Sequence, residues 1–423
     1  MEGTAEVTLR RAKALLALAL AIPFAAPLSA QTTPKLPKWR IDPYTRNDPK
    51  LIEKLGYVGY GPFEFGQRGT KAVSTEDIDK HLDYAQILWV ETRHFRIGST
   101  LDPWVVPLEP EIKAKIRAEL EKLLGRGLDR VNPKTRTLDR WLRVHLFAQR
   151  LEEHYAEMQS WLGVTDESFP KDDEDRKTRY QDYLGEGPFL GQRNKYLFLI
   201  FERVDEYDDY LATFTGRRTV GGQQWNFKDV DSLLYSCAAD NPTEDGRLKD
   251  DTAMHGHLVF SATHNLINGY LHYNFDLPCW MREAPAHWFE RRITEHFNSY
   301  TRSEGAPPID QRAWQYPLET RKFLGNGKFA AFSEVMKWRD FGELEFNDHV
   351  MIWSRQDYLM TLGKEKWAKL MRLSKAQVDP STGQTVGDIV EGTRNALREA
   401  YGLSPLSLEE KWREWVLATY PTK

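Results

Sequence analysis

The chain has 423 residues, of which 41% are hydrophobic and 28% are charged, and its formal net charge at pH 7 is −4. This length is ample for a large core, formed by one large domain or by two closely packed ones. The slightly acidic balance and the lack of a Lys/Arg stripe predict no nucleic-acid partner. Beyond the N-terminal region no stretch is apolar for long enough to cross a bilayer, so the mature chain is expected to have no membrane span.

The first 30 residues have the pattern of a secretory signal peptide. Its parts are the basic residues Arg10, Arg11 and Lys13, the apolar run Ala14 to Leu28, and Leu28-Ser29-Ala30 ahead of Gln31. The alternative is a retained membrane anchor, but the run is shorter than the ~20 apolar residues of a span, and Pro23 and Pro27 interrupt its end. We expect cleavage near Ala30 and a periplasmic or extracellular protein.

Residues 31–85 contain many prolines and glycines and predict a loop-rich lead-in. Residues 86–249 predict an α/β subdomain, because strand-like and helix-like patterns alternate there. The predicted elements are a strand Trp89 to Ile97, a helix Pro110 to Leu128, a strand Arg143 to Phe147, a helix Gln149 to Trp161, a strand Tyr196 to Phe201 and a helix Asp205 to Phe214. The charge-dense segment 166–182 predicts a surface loop.

Residues 250–423 predict a mostly helical subdomain, because helical periodicity dominates to the end of the chain. The predicted helices are Leu258 to Tyr270, Trp280 to Phe297, Val350 to Leu362, Lys366 to Leu373, Val386 to Tyr401 and Leu408 to Ala418. The fold class is therefore predicted as α+β, with a cleft between a sheet-containing N-terminal subdomain and a helical C-terminal one.

Two cysteines, Cys237 and Cys279, occur in the chain. In an oxidising compartment they could pair and tie the segment before the first of these helices to the loop after it. Sequence separation does not show whether their Cα atoms come close enough for a disulfide, so both the bond and two free thiols stay open.

Residues 255–296 hold six of the eleven histidines. Within this stretch eighteen residues separate His264 from Glu283, which has Pro278, Trp280 and Ala286 around it. This block resembles the gluzincin superfamily of zinc peptidases, which includes thermolysin and the zinc aminopeptidases. Those enzymes carry H-E-x-x-H on one helix and a glutamate ligand on a second helix. The resemblance implies that His264 is the second histidine and that Glu283 is the distal glutamate.

The C-terminal end supports the same resemblance. Asn395 to Leu403 and Leu408 to Trp415 are similar to the closing helices of secreted gluzincin-like proteins, and Leu359 to Leu373 resembles their preceding helix pair. The resemblance covers residues 89 to 418, although its motifs are concentrated after His257.

The chain departs from the family pattern at the metal site. Phe260 stands at the first ligand position, Ser261 at the general-base position, and Ala284 at the glycine that usually follows the glutamate. Phenylalanine does not coordinate zinc, and a serine hydroxyl does not take a proton from metal-bound water as a carboxylate does. We therefore assign no catalytic residue and expect no cofactor in the preferred hypothesis.

In the alternative hypothesis another residue completes a zinc site. His257 lies ~10 Å along the helix axis from His264, too far for one ion. His287, one turn beyond Glu283, is the better candidate, and it gives His264, Glu283 and His287 as a rebuilt zinc ligand set. His255 and His257 have two interpretations, a small separate site or histidines that form hydrogen bonds in a polar, once-catalytic cleft, and the second is preferred for all of these histidines.

Three further residues have two interpretations each. His349 lies near the place where the family has a residue that stabilises the oxyanion, or it belongs to a helix start capped by Asn347 or Asp348. Glu290 and Glu295 resemble a catalytic pair, but on a charged helix they are interpreted as a solvated face.

The preferred hypothesis is an exported, catalytically inactive metallopeptidase-like protein with a binding or assembly role toward a protein, peptide or glycan. One alternative is an active zinc-dependent peptidase or hydrolase with the rebuilt ligand set. Another is an envelope glycan-binding protein, based on the aromatic residues Tyr270, Trp280 and Trp288 near the presumed cleft.

Overall fold

The computed structural model describes residues 36–172, 174, 185–244, 246–273, 277–301, 315–375, 378–379 and 384–423. The predicted signal peptide, and the predicted surface loop from residue 175 onward, lie outside the described residues. Residues Trp39–Lys423 form one compact unit, and the division of that unit at residues 249 and 250 stays a prediction.

The described strands form one large sheet and three small ones. They are β1 (Tyr57–Gly59), β2 (Glu64–Arg68), β3 (Lys71–Ser74), β4 (Leu88–Thr92), β5 (Phe95–Ser99), β6 (Trp104–Val105), β7 (Thr137–Leu138), β8 (Tyr196–Phe201), β9 (Gln223–Phe227), β10 (Ser232–Ala238), β11 (Val378–Asp379) and β12 (Gln384–Thr385). The large sheet has the order β1-β4-β5-β8-β10-β9. Strands β5, β8 and β10 are parallel to one another, and the other neighbours are antiparallel. The small sheets are β2-β3, β6-β7 and β11-β12.

The described α-helices outnumber the strands. They are α1 (Pro49–Lys54), α2 (Thr75–His81), α3 (Pro110–Gly125), α4 (Arg140–Leu162), α5 (Val204–Phe214), α6 (Asp251–Gly269), α7 (Trp280–Glu290), α8 (Tyr316–Asn326), α9 (Phe332–Val335), α10 (Phe346–Thr361), α11 (Lys364–Lys375), α12 (Ile389–Tyr401) and α13 (Pro405–Thr419). The coarse prediction of a mixed α+β fold is therefore confirmed. None of the helices in the described part of the chain is both long and apolar enough to cross a membrane.

Strand β8 is apolar on both sides because helices cover both faces of the sheet. Its Phe198 and Ile200 belong to the main hydrophobic core, whereas Leu197 and Leu199 belong to a second, smaller core. A continuous apolar run is typical of a parallel strand that is buried on both faces. The predicted strand Tyr196 to Phe201 is confirmed.

The predicted strand Arg143 to Phe147 is wrong. These residues lie in α4, a single helix that also takes in the predicted helix Gln149 to Trp161. All of Arg143 to Phe147 are buried, and periodicity does not separate a short apolar strand from a segment of buried helix. The predicted strand Trp89 to Ile97 is two strands, β4 and β5, which pair as an antiparallel hairpin.

The predicted loop-rich lead-in contains regular structure, namely α1, α2 and β1 to β3. Its early part is fixed to the core by the fully buried Asp42. The Asp42 carboxylate accepts hydrogen bonds from Thr45 Oγ1 at 2.5 Å and from Tyr60 OH at 2.6 Å. It also lies 3.1 Å from His145 Nε2 on α4, so α4 holds this segment through one polar network.

Each helix predicted after residue 250 is present, with different ends. Helix α6 begins seven residues before the predicted Leu258, since Asp250 caps it and accepts hydrogen bonds from the backbone N–H groups of Thr252 and Ala253 at 2.9 Å. Helix α7 ends at Glu290 rather than at the predicted Phe297. Helix α7 packs against both α6 and α10, and these three helices carry the site described below.

Candidate metal centre

Helix α6 is buried along its whole length. It packs against α4, α7 and strand β10. A helix without an exposed face belongs to the interior of a domain, and here it carries His264 into the core, where the side chain has 0% exposure.

The two residues on which the family resemblance depends lie face to face. His264 Nε2 on α6 is 3.0 Å from Glu283 Oε2 on α7, and both side chains are fully buried. Glu283 Oε2 nonetheless has no hydrogen-bond partner among the described residues. The imidazole and the carboxylate are therefore close together, but their geometry is not that of a hydrogen bond.

Two more imidazoles approach the second oxygen of the same carboxylate. His349 Nδ1 is 3.4 Å and His287 Nε2 is 3.7 Å from Glu283 Oε1, and these two nitrogens are 3.0 Å apart. Glu283 Oε1 also accepts a hydrogen bond from the backbone N–H of Thr301 at 2.9 Å. Glu283 and His287 share a helix face because they are one turn apart, while His349 comes from α10.

An aromatic ring lies beside this cluster at the position where the family has its first ligand. The centroid of the Phe260 ring is 4.9 Å from that of His264 and 5.3 Å from that of His287. Ser261, the next residue, is buried at 2% exposure.

The protonation states of the cluster suit a metal site. Burial alone would raise the pKa of Glu283, but His264, His349 and His287 lower this pKa to about 2. Burial lowers the pKa of His264 in spite of the neighbouring carboxylate. A carboxylate and a neutral imidazole are the forms in which these side chains bind metal.

Glu283, His287 and His349 are the residues that fit a metal ion in the described part of the chain. One ligand atom from each lies within 4.8 Å of the other two. One carboxylate oxygen with two imidazole nitrogens is a donor set that Zn²⁺ uses in proteins. The rebuilt set predicted from the sequence contained His264, Glu283 and His287, whereas in this group His349 takes the place of His264.

The interpretation of the helix start near His349 needs correction. The N-cap of α10 is Glu345, and Asp348 closes a capping box with it, so neither Asn347 nor Asp348 is the cap. The His349 side chain is buried to 1% exposure and faces the cluster. The family resemblance gave it the role of stabilising an oxyanion, and its position beside Glu283 and His287 fits a ligand equally well.

Glu290 is not on a solvated face, contrary to the prediction, since its side chain is 1% exposed. Its two oxygens accept hydrogen bonds from Ser299 N at 2.9 Å, and Oε1 accepts a third from Ser299 Oγ at 2.6 Å. Glu295 lies beyond the end of α7 and is exposed as predicted.

Ser299 continues a directed chain of hydrogen bonds. Ser299 Oγ is 2.8 Å from His257 Nδ1, and His257 Nε2 is 2.5 Å from Tyr235 OH. Since the Glu290 carboxylate only accepts, Ser299 donates to it and accepts from the His257 N–H, and Tyr235 donates to the other ring nitrogen. Sequence reasoning missed this chain because its members come from β10, α6, α7 and a loop.

Of the two interpretations of His255 and His257, the contacts fit hydrogen-bonding histidines rather than a shared site. His255 Nδ1 is 3.0 Å from Lys115 Nζ on α3, whereas His257 contacts Ser299 and Tyr235. Residues two apart on a helix do not face each other, so the two rings point to different neighbours.

The cysteines do not form a disulfide. Cys237 and Cys279 are both free and buried, and both pack into the main hydrophobic core. Burial raises the pKa of each thiol to about 12, so both stay protonated near neutral pH.

The aromatic residues on which the glycan-binding alternative depends are mostly interior. Tyr270 is 1% and Trp280 is 2% exposed, and Trp288 is half-buried. Stacking on a sugar needs an accessible ring face, so Tyr270 and Trp280 do not provide such a surface.

Known proteins give no function for this arrangement. No family model matches the chain, and no curated protein matches it in sequence. The crystal structure of a functionally unknown conserved protein from Bacillus anthracis str. Ames aligns with a TM-score of 0.31 at 12% sequence identity. The alignment covers 86% of this chain, and the chain spans 58% of the length of that structure. This likeness assigns neither a family nor a function.

Proposed function

We propose that the chain is an exported, gluzincin-like protein that has lost peptidase activity and acts as a binding or assembly module outside the cytoplasm. The observation that carries the proposal is the position of Phe260. Its ring contacts His264 and His287 at the place where an active gluzincin would have a ligand imidazole. A phenyl ring offers no lone pair to a metal and no proton acceptor to water.

The two described residues considered as a general base, Ser261 and Glu290, support the same proposal. Ser261 stands at the base position, and a serine hydroxyl does not take a proton from metal-bound water as a carboxylate does. Glu290, the other buried carboxylate of α7, accepts three hydrogen bonds from Ser299. Both oxygens of Glu290 are therefore already engaged by Ser299.

A second candidate function is an active zinc-dependent hydrolase with a rebuilt ligand set. The close approach of Glu283, His287 and His349 favours it. Catalytic zinc sites keep an open position for water and substrate, however, and these three side chains have exposures of only 0 to 1%. The enclosed position therefore favours a role without turnover.

A peptidase assay separates the two candidates. The purified mature chain, incubated with casein and with a mixed peptide library in the presence of ZnCl₂, is expected to release no product above the buffer control. Hydrolysis that a chelator abolishes and that Glu283→Gln removes would overturn the proposal and establish the hydrolase.

Restoration of the family motif tests the frame itself. The double variant Phe260→His with Ser261→Glu places H-E-x-x-H on α6, and we expect it to bind zinc tightly with Glu283. The matched control is Phe260→Leu with Ser261→Glu, which carries the same new carboxylate without the imidazole. Both variants also carry His349→Gln, which removes one of the three residues that fit a metal in the unchanged chain, so that zinc binding reports the new motif. In that background, a folded double variant that binds zinc no better than its control would show that α6 and α7 are not a gluzincin frame.

Export has its own test. Expression of the full chain in a bacterium with a secretory pathway is expected to give a protein outside the cytoplasm whose first residue is Gln31. A full-length protein that stays in the membrane fraction would contradict the predicted cleavage.

A further inference from the structure

We propose that Glu283 Oε1, His287 Nε2 and His349 Nδ1 bind one Zn²⁺ ion, through a ligand set different from the one that the family resemblance implies. This site does not depend on the loss of peptidase activity. It uses one residue of the family pattern, Glu283, together with one histidine from the same helix and one from α10.

The distances among the three atoms fit a tetrahedral ion. Ligand atoms about 2.1 Å from a tetrahedral zinc are about 3.4 Å from one another, whereas neighbouring ligands of an octahedral ion are about 3.0 Å apart. The observed separations are 3.0 Å, 3.4 Å and 3.7 Å. Two of the three exceed the octahedral value, and together they lie around the tetrahedral one.

The proposed ligand atoms face one another within a buried cluster. His287 Nε2 and His349 Nδ1 share a hydrogen bond at 3.0 Å, and Glu283 Oε1 lies within 3.7 Å of both nitrogens. Metal binding to imidazoles releases protons, so a divalent ion would replace the proton that the two rings share.

The neighbours of the three atoms orient them for this role. His264 lies at the other carboxylate oxygen, 3.0 Å from Oε2, and the Thr301 N–H holds Oε1. On the far side of the His287 ring, Nδ1 lies 3.8 Å from Glu290 Oε2, which is beyond hydrogen-bond distance.

The role of His264 distinguishes the proposed site from the zinc site of the gluzincin family. In a gluzincin-like site the second histidine of the motif is a ligand, and its loss removes the metal. Here His264 positions the carboxylate, and the loss of an outer partner typically weakens metal binding by about 10- to 100-fold. Loss of His349 or His287 removes a ligand, and the expected weakening exceeds about 100-fold, beyond the range of an outer partner.

The experiment uses the full mature chain, stripped of metal by a chelator and titrated with ZnCl₂ in a calorimeter. We expect one Zn²⁺ per chain for the unchanged protein and for the control His296→Gln, an exposed position. His349→Gln and His287→Gln are expected to lose binding, and His264→Gln to retain it with reduced affinity. The absence of stoichiometric zinc in the unchanged protein would overturn the site, and so would retained binding in His349→Gln with complete loss in His264→Gln.

Cobalt provides a readout that needs no variant. Replacement of zinc by Co²⁺ in the unchanged chain is expected to give the intense visible bands of a tetrahedral ion, and the weak spectrum of an octahedral ion would overturn the geometry. The outcome is separable from that of the proposed function. Bound zinc without peptide hydrolysis supports both proposals, bound zinc with hydrolysis overturns only the first, and absence of zinc overturns only this one.

Discussion

Two carboxylates on one helix, Glu283 and Glu290, have the same burial and opposite surroundings. They are seven residues apart on α7, and their exposures are 0% and 1%. Glu290 accepts three hydrogen bonds from the backbone and hydroxyl of Ser299. Glu283 accepts one backbone hydrogen bond, from Thr301, and faces the nitrogens of three histidines.

This difference indicates that Glu290 stabilises the fold, whereas Glu283 is available to bind a ligand. Donors that point at Glu290 stabilise its charge within the chain itself, and the unfolded state loses them. A neutral imidazole has one nitrogen that donates a proton and one that offers a lone pair. The three imidazoles around Glu283 leave its Oε2 without a hydrogen-bond partner among the described residues. Buried groups without partners are unusual in folded proteins and need an explanation.

The largest expected effect comes from removal of the satisfied carboxylate. Glu290→Ala leaves the Ser299 N–H and hydroxyl buried without their acceptor, and we expect a loss of about 3 kcal/mol in the free energy of unfolding. Urea denaturation of the metal-free protein measures it. The control Glu295→Ala, at an exposed position, is expected to stay within about 0.5 kcal/mol. A loss below 1 kcal/mol for Glu290→Ala would remove the contrast between the two carboxylates.

The pH dependence of stability extends the comparison to His154, a buried histidine whose partner is a hydroxyl group rather than a carboxylate. His154 Nε2 donates to Thr263 Oγ1 at 2.9 Å, and burial and the charge of Arg292 lower the pKa of His154 from 6.5 to about 3. Below pH 6.5 the unfolded chain takes up a proton that the folded chain refuses, so the contribution of this group to stability is present above that pH and is lost as the pH falls toward 3.

The corresponding variant is His154→Gln. Between pH 7.5 and pH 4.5 the free energy of unfolding of the unchanged protein is expected to fall by about 2 kcal/mol more than that of His154→Gln. The control His296→Gln, with an exposed ring, is expected to keep the pH dependence of the unchanged protein. Equal slopes for His154→Gln and the unchanged protein would show that His154 is not a neutral buried group.

An intermediate effect is expected in the chain between Tyr235 and Glu290. Ser299→Ala leaves the His257 Nδ1–H without its acceptor, at an expected cost of about 1 to 2 kcal/mol. A double-mutant cycle with Tyr235→Phe tests whether the chain acts as a unit. Because the two hydrogen bonds share the His257 ring, the two losses are expected not to add, and strict additivity would contradict the directed chain.

The smallest effect is expected at Glu283. Glu283→Gln keeps an amide oxygen for the Thr301 N–H. It removes the attraction between the carboxylate and the histidines together with the cost of burying the charge, so in the metal-free protein we expect these changes to offset each other to within about 1 kcal/mol. Denaturation in the presence of a chelator measures this value. A loss as large as that of Glu290→Ala would mean that Glu283 is a structural residue.

Much of the architecture is predictable because it depends on local patterns. The apolar run Tyr196 to Phe201 and the helical periodicity after residue 250 each identify an element without knowledge of its neighbours. The prediction for Arg143 to Phe147 failed because its polar residues are buried, so their alternation with apolar residues resembled a strand. Arg143 lies near Asp251 of α6, and His145 contacts Asp42 in the lead-in. Tertiary burial, rather than local preference, decided that segment.

The candidate site is predictable only in part. The spacing of His264 and Glu283 brought them together through the family resemblance, and the turn geometry of α7 added His287. His349 is 62 residues beyond His287, and no local signal places its ring against Glu283. The burial of Glu290 depends on the loop at Ser299, which helical periodicity does not describe.

The most direct test of the account is anomalous X-ray diffraction at the zinc absorption edge from crystals of residues 31–423 grown with ZnCl₂. The account predicts one strong peak bounded by Glu283 Oε1, His287 Nε2 and His349 Nδ1, with His264 on the other carboxylate oxygen. An absence of signal there, or a peak coordinated by His264 and Glu283 without His349, would contradict it.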